Sequence, residues 1–107
     1  MTRGEIRWYR FASPDKKRPV LILTRNAVLD YLGEVTIAPI TTTIRDTPSE
    51  VLLTEEDGMP RTSAINLDHV QTVSKEKIGA PLTRLTADRM EEVRSALLFA
   101  LGFRESL

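Results

Sequence analysis

Cysteine is absent from this chain of 107 residues, and histidine and tryptophan occur once each. The absence of cysteine excludes disulfides, thiolate metal sites and cysteine nucleophiles. A single histidine excludes a pair of histidines that would act as acid and base within one chain. The sequence also contains no glycine-rich phosphate loop and no spacing of metal-ligating residues. Several classes of enzyme are therefore ruled out before any motif is considered.

Neither sign of charge is in excess, since 15 basic residues stand against 15 acidic ones. A protein that coats nucleic acid usually has a basic surplus, so any nucleic-acid contact here must come from a local patch. No apolar run approaches the roughly 20 residues of a membrane span. The first five residues lack the apolar stretch of a signal peptide, which predicts a cytoplasmic protein. At this length we expect one domain over residues 1–107.

The most informative stretch is residues 18–26, in which an apolar, β-branched run follows Pro19. This run predicts a strand that is buried on both faces. Proline cannot donate a ladder hydrogen bond, so we expect Pro19 at the first position of the strand. Arg18 then lies at one tip of the strand, and Lys16 and Lys17 precede it at the end of a turn over residues 13–17. The sequence thus places cations at the end of a rigid element.

Four further strands are predicted by β-branched, aromatic or alternating residues, over 5–11, 35–40, 50–54 and 63–73. Pro39 is expected at an edge or a bulge of its strand. In the last of these strands the period of two slips after Leu67, which predicts a bulge near Asp68 and His69. Residues 74–81 are expected to form a connecting turn.

The clearest helix follows Thr86, a good N-cap, with Leu85 and Met90 placed for a hydrophobic staple. Met90, Val93, Leu97 and Leu101 form one apolar stripe at helical spacing. A short helix is also expected after residue 25, with Asn26 as its cap and Gly33 as its stop. Five strands and a late helix predict a small, strongly bent antiparallel sheet or barrel, a mainly β fold of the α+β class.

The chemistry that these residues favour is phosphate binding. An arginine offers forked donors and keeps its charge, so Arg18 suits the stabilisation of charge that builds on phosphorus oxygens. The hydroxyls of three consecutive threonines, Thr41, Thr42 and Thr43, are further donors to phosphate oxygens. These cues alone do not separate an enzyme that acts on a phosphate from a protein that only binds one.

Five motifs in a fixed order make the pattern specific. They are the opening Arg3-Gly4-Glu5-Ile6, the strand Arg18-Pro19-Val20-Leu21-Ile22-Leu23-Thr24-Arg25-Asn26, the strand end Ile37-Ala38-Pro39-Ile40-Thr41-Thr42, the sequence Pro48-Ser49-Glu50-Val51, and residues 62–73. With these motifs the chain resembles the MazF/PemK family of toxin endoribonucleases over nearly its full length. The ending Ala100-Leu101-Gly102-Phe103 is also similar.

The resemblance implies an SH3-like barrel of the MazF/PemK/CcdB type, with five to seven short antiparallel strands and a C-terminal helix. It implies a homodimer that cleaves single-stranded RNA (messenger, transfer or ribosomal) without a metal or other cofactor. The 2′-hydroxyl attacks the adjacent phosphorus and leaves a 2′,3′-cyclic phosphate and a 5′-hydroxyl. Such a protein is the toxin of a type II toxin–antitoxin system that arrests translation and growth, and a cognate antitoxin covers its RNA groove.

The family's catalytic arginine and threonine fall on Arg18 and Thr41. The RNA-binding residues that the resemblance implies are Arg3, Lys16, Lys17, Asn26, Thr42, Asp68, His69 and Gln71. Three departures from the family pattern stand out: a short loop over residues 13–17, His69 in place of glutamine and Gln71 in place of arginine. Because an unperturbed histidine titrates near neutral pH, His69 is also a hypothetical base for removal of the 2′-proton.

Two other classes of function stay open at this point. The CcdB branch shares the implied fold and poisons gyrase, but it relies on a Trp-Gly-Ile tail, whereas this chain ends Arg104-Glu105-Ser106-Leu107. A non-catalytic SH3-like module would bind a peptide or RNA without cutting it.

Overall fold

The structure is a computed structural model that describes residues 1–11 and 16–104. The strands within these residues are β1 (Glu5–Arg10), β2 (Lys17–Ile22), β3 (Glu34–Thr41), β4 (Glu50–Leu53), β5 (Ser63–Asn66), β6 (Gln71–Ser74) and β7 (Ile78–Arg84). The α-helices are α1 (Asn26–Leu29) and α2 (Ala87–Ala100), and short 3-10 helices cover Glu55–Asp57, Leu67–His69 and Lys75–Lys77. Neither of these α-helices is long and apolar enough to span a bilayer.

The described strands form one antiparallel, barrel-like sheet. Its order is β4-β5-β3-β2-β1-β7, and β6 also pairs with β3. The two ends of this path, β4 and β7, are not paired with each other in the described residues, so the sheet is bent but not closed. The predicted mainly β fold with a C-terminal helix is confirmed, and the seven strands fall within the predicted number.

Strand β2 lies in the middle of the sheet, with β1 on one side and β3 on the other. Val20, Leu21 and Ile22 have no exposed surface, as the apolar run predicts. Alternate residues enter two separate cores: Leu21 packs in the core that α2 covers, whereas Val20 and Ile22 pack in the core on the opposite face. The strand begins at Lys17, two residues before Pro19, and Pro19 pairs with Trp8 of β1.

Pro39 is not at an edge, contrary to the edge alternative, because it pairs with Val20 of β2. On the other side of β3, β6 pairs with the stretch from Glu34 to Ile37, and β5 pairs only with Ile40 and Thr41. Pro39 therefore stands where one partner strand has ended and the next has begun. A missing N–H donor costs no ladder hydrogen bond at that position.

The single strand predicted over residues 63–73 is wrong. The chain forms β5, leaves the sheet through the 3-10 helix Leu67–His69 and returns as β6. The Asn66 side chain caps this helix, since its Oδ1 accepts a hydrogen bond from Asp68 N at 2.9 Å. The slip in the apolar pattern was located correctly, but a helical turn and not a bulge accommodates it.

The connecting turn predicted over residues 74–81 is also wrong, because β7 begins at Ile78 and pairs with β1. Gly79 and Pro81 indicated a turn, yet each has a different reason to lie in this strand. A Cβ at Gly79 would approach the backbone oxygen of Trp8 to 3.2 Å, so the close contact with β1 favours glycine. Pro81 belongs to a strand at the end of the sheet path, where the register shifts and a lost donor is tolerated.

The short helix α1 begins differently from the prediction. Arg25 is its N-cap, Asn26 is its first residue, and the helix ends at Leu29, well before Gly33. Asn26 Oδ1 instead accepts a hydrogen bond from Arg3 N at 2.7 Å, which ties the helix to the N-terminal segment. The turn predicted at Ser13, Pro14 and Asp15 lies outside the described residues.

Helix α2 agrees with the prediction at its start. Thr86 is the N-cap, and its side chain accepts a hydrogen bond from Arg89 N. Val93 and Ala96 are buried against the sheet, with Met90 packed beside them. The predicted apolar stripe stops short of Leu101, which is 60% exposed. The helix therefore covers one face of the sheet with its middle turns.

Arg89 connects α2 to β4 and to the 3-10 helix that follows β4. Its guanidinium donates to both carboxylate oxygens of Asp57, at 3.0 and 2.9 Å, to the Glu92 carboxylate and to the backbone oxygen of Leu52. Hydrogen bonds from Arg89 hold the pKa of Asp57 below its usual range. Forked arginine–carboxylate pairs of this kind are stronger than neutral hydrogen bonds.

This pair predicts how stability depends on pH. The pKa of Asp57 is lower in the folded than in the unfolded state, so its contribution is complete above about pH 4 and is lost as the pH falls through the folded value. Asp57→Asn should lower the free energy of unfolding by about 1–3 kcal/mol at pH 7 and by much less once the pH is below the folded pKa of Asp57. Urea unfolding of both proteins between pH 7 and pH 2.5 measures this difference, and a constant difference would contradict the prediction.

Candidate active site

The pairing of β2 with β3 brings Arg18 and Thr41 to the same end of the sheet. The described ladder between these strands ends at the pair of Val20 and Pro39, and Arg18 and Thr41 each lie two residues beyond that pair. Residues two apart in a strand point to the same face. Lys16 and Thr43 lie two residues further along the chain in each direction. The sheet therefore collects two cations and two hydroxyls at one corner.

These four residues line one open cavity of about 680 Å³. Its other lining residues are Phe11, Pro39, Ile40, Arg45, Asn66, His69 and Gln71. Three of the described lining residues are cations (Lys16, Arg18 and Arg45), and none carries a carboxylate. The balanced charge of the whole chain therefore conceals a local basic surplus. A surface of this kind attracts phosphate groups.

The hydroxyl of Thr41 is prepared to act as a donor. Its Oγ1 accepts a hydrogen bond from Thr43 N at 3.0 Å, which occupies a lone pair and leaves the hydroxyl proton available. Thr41 is partly buried at the end of β3, whereas Arg18 is exposed. A phosphate between the two side chains would receive donors from a guanidinium and a hydroxyl. This pair can stabilise charge that develops on phosphorus oxygens.

The orientation of His69 follows from Asn66. Asp68 N donates to Asn66 Oδ1 at 2.9 Å, so the other end of the amide, Nδ2, faces His69 Nδ1 at 3.2 Å. An amide nitrogen donates, so Nδ1 accepts, and a neutral His69 ring carries its proton on Nε2. Asn66 is itself buried and held in place by the start of the 3-10 helix. The geometry leaves the Nε2–H of His69 as a hydrogen-bond donor and argues against its role as a base.

The prediction for His69 is that His69→Gln keeps the rate of RNA cleavage within about threefold, because a glutamine amide can also donate a hydrogen bond. The pH–rate profile should also be unchanged. A general base would contribute about 10²–10⁴-fold, so a loss of that size together with a changed profile would contradict the donor role. Asn66→Asp is a second variant to compare, because it replaces the amide that donates to His69 Nδ1 with a carboxylate that cannot donate.

Arg45 reaches the cavity from the segment that follows β3. The carboxylate of Glu50, at the start of β4, holds this segment: its Oε1 accepts from Arg45 N at 3.0 Å and from Asp46 N at 2.8 Å. Asp46 has a φ of 58°, in the left-handed region that aspartate tolerates better than most residues. Glu50 thus fixes the backbone that carries a third cation to the cavity.

The structure brings together only some of the RNA-binding residues that the resemblance implies. Lys16, His69 and Gln71 line the cavity beside the two catalytic candidates. Lys17 and Thr42 lie on the other face of the sheet, in a second cleft. Arg3 and Asn26 line a groove beside α2. The role of these outlying residues in RNA binding stays a prediction.

Asp68 also lies apart from the cavity lining, because its carboxylate accepts a hydrogen bond from Ser49 Oγ. Five residues of the cavity were not selected from the sequence as site residues: Phe11, Pro39, Ile40, Arg45 and Asn66. For Arg45 a signal exists, since residues 41, 43 and 45 continue the period of two beyond the strand. Within the described residues, no three His, Asp or Glu side chains are grouped so as to hold a metal ion.

Comparison with known proteins gives one consistent family. Residues 2–101 match the family described as PemK-like, MazF-like toxin of type II toxin–antitoxin systems. The chain is 42% identical over 100 residues to a probable endoribonuclease, MazF5, of Mycobacterium tuberculosis, and the match covers 92% of this chain and 91% of that protein.

Two solved structures are similar at the level of the fold. The Mycobacterium tuberculosis toxin MazF-mt6 superposes with a TM-score of 0.85 and 34% identity, covering 92% of this chain and 96% of that one. An endoribonuclease in complex with its cognate antitoxin, from a mycobacterial species, gives a TM-score of 0.87 and 28% identity, with 97% of each chain covered. Sequence and structure together show that the chain belongs to the PemK/MazF family of toxins of type II toxin–antitoxin systems, as an endoribonuclease.

Proposed function

We propose that this protein cleaves single-stranded RNA at selected sequences without a metal ion, and that Arg18 and Thr41 are its catalytic residues. The observation that carries the proposal is that these two residues line one cavity, at the end of the β2–β3 ladder, together with two further cations, Lys16 and Arg45. Membership of an endoribonuclease family supplies the reaction class. Such a site can bind one phosphate tightly and stabilise its transition state.

In the proposed reaction the ribose 2′-hydroxyl attacks the adjacent phosphorus, and the bond from phosphorus to the 5′-oxygen breaks. The products are a 2′,3′-cyclic phosphate and a 5′-hydroxyl, so no water is consumed. Arg18 neutralises charge on the non-bridging oxygens, and the Thr41 hydroxyl donates to one of them. The need for a 2′-hydroxyl makes RNA the substrate and excludes DNA. His69, Gln71 and Arg45 line the same cavity and are placed to contact the flanking nucleotides.

The biological role that we propose is that of a cytoplasmic toxin that arrests translation and growth until an antitoxin inhibits it. A structural neighbour is an endoribonuclease in complex with its cognate antitoxin, which supports a protein partner of the same kind here. We further propose a homodimer. Leu101 and Phe103 are 60% and 79% exposed beside the end of α2, and apolar side chains exposed in this way favour an interface. Sedimentation of the purified protein measures its oligomeric state.

The experiment that tests the reaction is cleavage of a mixed-sequence, single-stranded RNA by purified protein in EDTA, followed by mapping of the cut sites and the end groups. We expect discrete cuts with cyclic phosphate and 5′-hydroxyl ends, at an equal rate after magnesium is added. A DNA of the same sequence is the control and should stay intact. No cutting in either condition would refute the proposal, and 5′-phosphate ends would refute the mechanism.

A further inference from the structure

A second cleft lies on the opposite face of the sheet corner that carries Arg18 and Thr41. Side chains alternate between the two faces, so Arg18 lines the first cavity and Lys17 lines this cleft. Likewise Thr43 lines only the first cavity and Thr42 only this cleft. The cleft has a volume of about 230 Å³, about a third of that of the first cavity. Thr41 lines both spaces, so the cleft adjoins the proposed catalytic centre.

Ser63 gives this cleft a polar group that has no other use in the fold. The residue is 4% exposed at the start of β5, and its side chain lines the cleft. Its Oγ makes no hydrogen bond with any described residue. A buried hydroxyl without a partner costs about 1–3 kcal/mol, so buried polar groups are normally satisfied. The Ser63 hydroxyl therefore lies unpartnered beside the cleft, for an atom that penetrates deeply enough to reach it.

The remaining walls combine an aromatic ring with positive charge. Trp8 of β1 lines the cleft, and Gly79 packs closely behind its backbone. Lys17 and Arg61 are exposed at the rim, and none of the described lining residues carries a carboxylate. An aromatic surface, a hydrogen-bonding group and cations are the three elements that bind a nucleotide of a single strand, through its base, base edge and phosphate.

We propose that this cleft is a second nucleotide subsite, which holds one base of the RNA next to the nucleotide at the cleaved bond. The base lies against Trp8, its edge hydrogen-bonds to Ser63 Oγ, and Lys17 and Arg61 contact its phosphate. The strand of RNA then crosses the sheet corner at Thr41, with the cleaved phosphate on one face and this base on the other. The inference rests on the proposed function, because it assumes that RNA binds beside Arg18.

The test uses a fluorescence probe that the chain already contains, since Trp8 is its single tryptophan. An RNA that contains the mapped cleavage sequence, with a 2′-deoxyribose at the cut so that it cannot be cleaved, is titrated into the whole protein. Stacking of a base on Trp8 should change its emission. A series of RNAs that each lack one base then identifies the position responsible, because removal of that base alone should abolish the change.

Ser63→Ala is the decisive variant, because it removes no hydrogen bond between described residues and should leave the stability unchanged or slightly raised. We expect it to bind the complete RNA about 5–10-fold more weakly, and to bind the RNA that lacks the identified base as well as the wild type does. Ser95→Ala on α2 is the matched control and should bind both RNAs like the wild type.

The outcomes separate this inference from the proposed function. If the wild type cuts RNA but Trp8 emission does not respond, or Ser63→Ala loses equal affinity for both RNAs, the subsite is wrong and the reaction stands. A response of Trp8 to an acidic peptide but not to saturating RNA would assign the cleft to a protein ligand and overturn the inference. A wild type that cuts no RNA overturns the proposed function and the subsite together.

Discussion

Arg18→Ala is expected to lower kcat/KM for RNA cleavage by about 10²–10³-fold, which corresponds to about 3–4 kcal/mol of transition-state stabilisation. The physical reason is that the guanidinium is the strongest donor beside Thr41 and holds a fixed charge where negative charge develops. Arg18 is exposed and contributes to neither core, so its removal should leave the fold intact. Steady-state cleavage of an RNA that contains the mapped site measures the effect, and circular dichroism monitors the fold.

Three further variants test whether the charge and the forked donors of Arg18 account for its expected role in catalysis. Arg18→Lys keeps the charge but loses the forked donors, so its activity should lie between those of the wild type and Arg18→Ala. Thr41→Ala should lose less than Arg18→Ala, because a single neutral hydroxyl is removed. Arg84→Ala on β7 changes a surface arginine outside the cavity and should keep activity within about twofold. A folded Arg18→Ala protein that cleaves at nearly the wild-type rate would show that the catalytic assignment is wrong.

The largest effect on stability is expected for Gly58→Ala, at about 2–5 kcal/mol. Gly58 follows the 3-10 helix Glu55–Asp57 with a φ of 92°, in the left-handed region that costs other residues about 1–2 kcal/mol. A Cβ there would also lie 2.8 Å from Thr83 Cβ and overlap Thr83 Oγ1, which donates to the backbone oxygen of Asp57. Overpacking adds about 1–3 kcal/mol.

Gly102→Ala is the matched control for this prediction. Gly102 has a φ of 82° after α2, but a Cβ there would meet nothing within 4 Å. Its substitution should therefore cost only the conformational part, about 1–2 kcal/mol. Urea unfolding of the two variants separates the backbone cost from the collision with Thr83. Equal losses of unfolding free energy in the two variants would show that the contact between Gly58 and β7 is not tight. If the contact is tight, Thr83→Ala should partly restore the stability of Gly58→Ala.

The elements that the sequence predicted well are those whose determinants are local. The apolar run from Val20 to Ile22 is long enough to define a strand buried on both faces, and the structure leaves these residues no exposed surface. The start of α2 is predictable because Thr86 caps it through a hydrogen bond within its own first turn. Such signals do not depend on the rest of the fold.

The elements that the sequence missed depend on partners far along the chain. Strand β7 contains Gly79 and Pro81, which favour a turn locally, but pairing with β1 stabilises it as a strand. At residues 67–69 the sequence showed that the alternation slips, yet only the capping hydrogen bond from Asp68 N to Asn66 distinguishes a helical turn from a bulge. Local propensity does not contain this information.

The candidate site was predictable in part for the same reason. Arg18 and Thr41 were assigned by the resemblance, and the structure places both in one cavity at the end of the β2–β3 ladder. Asn66 was missed because its function is to orient His69, a relation that exists only after the 3-10 helix forms. Arg45 was missed because its position depends on Glu50, which binds its backbone across a loop.

The contribution of α2 to the core has a consequence for the nascent protein. Val93 and Ala96 of this helix complete the same core cluster as Ile6 and Leu21, which the ribosome makes at the start of the chain. At about 5–20 residues per second, translation from Thr41 to Ala100 takes about 3–12 s. The residues of the proposed RNA site are therefore synthesised seconds before the sheet that carries them is covered. A nuclease whose core closes so late is not assembled until the ribosome has read nearly all of its message.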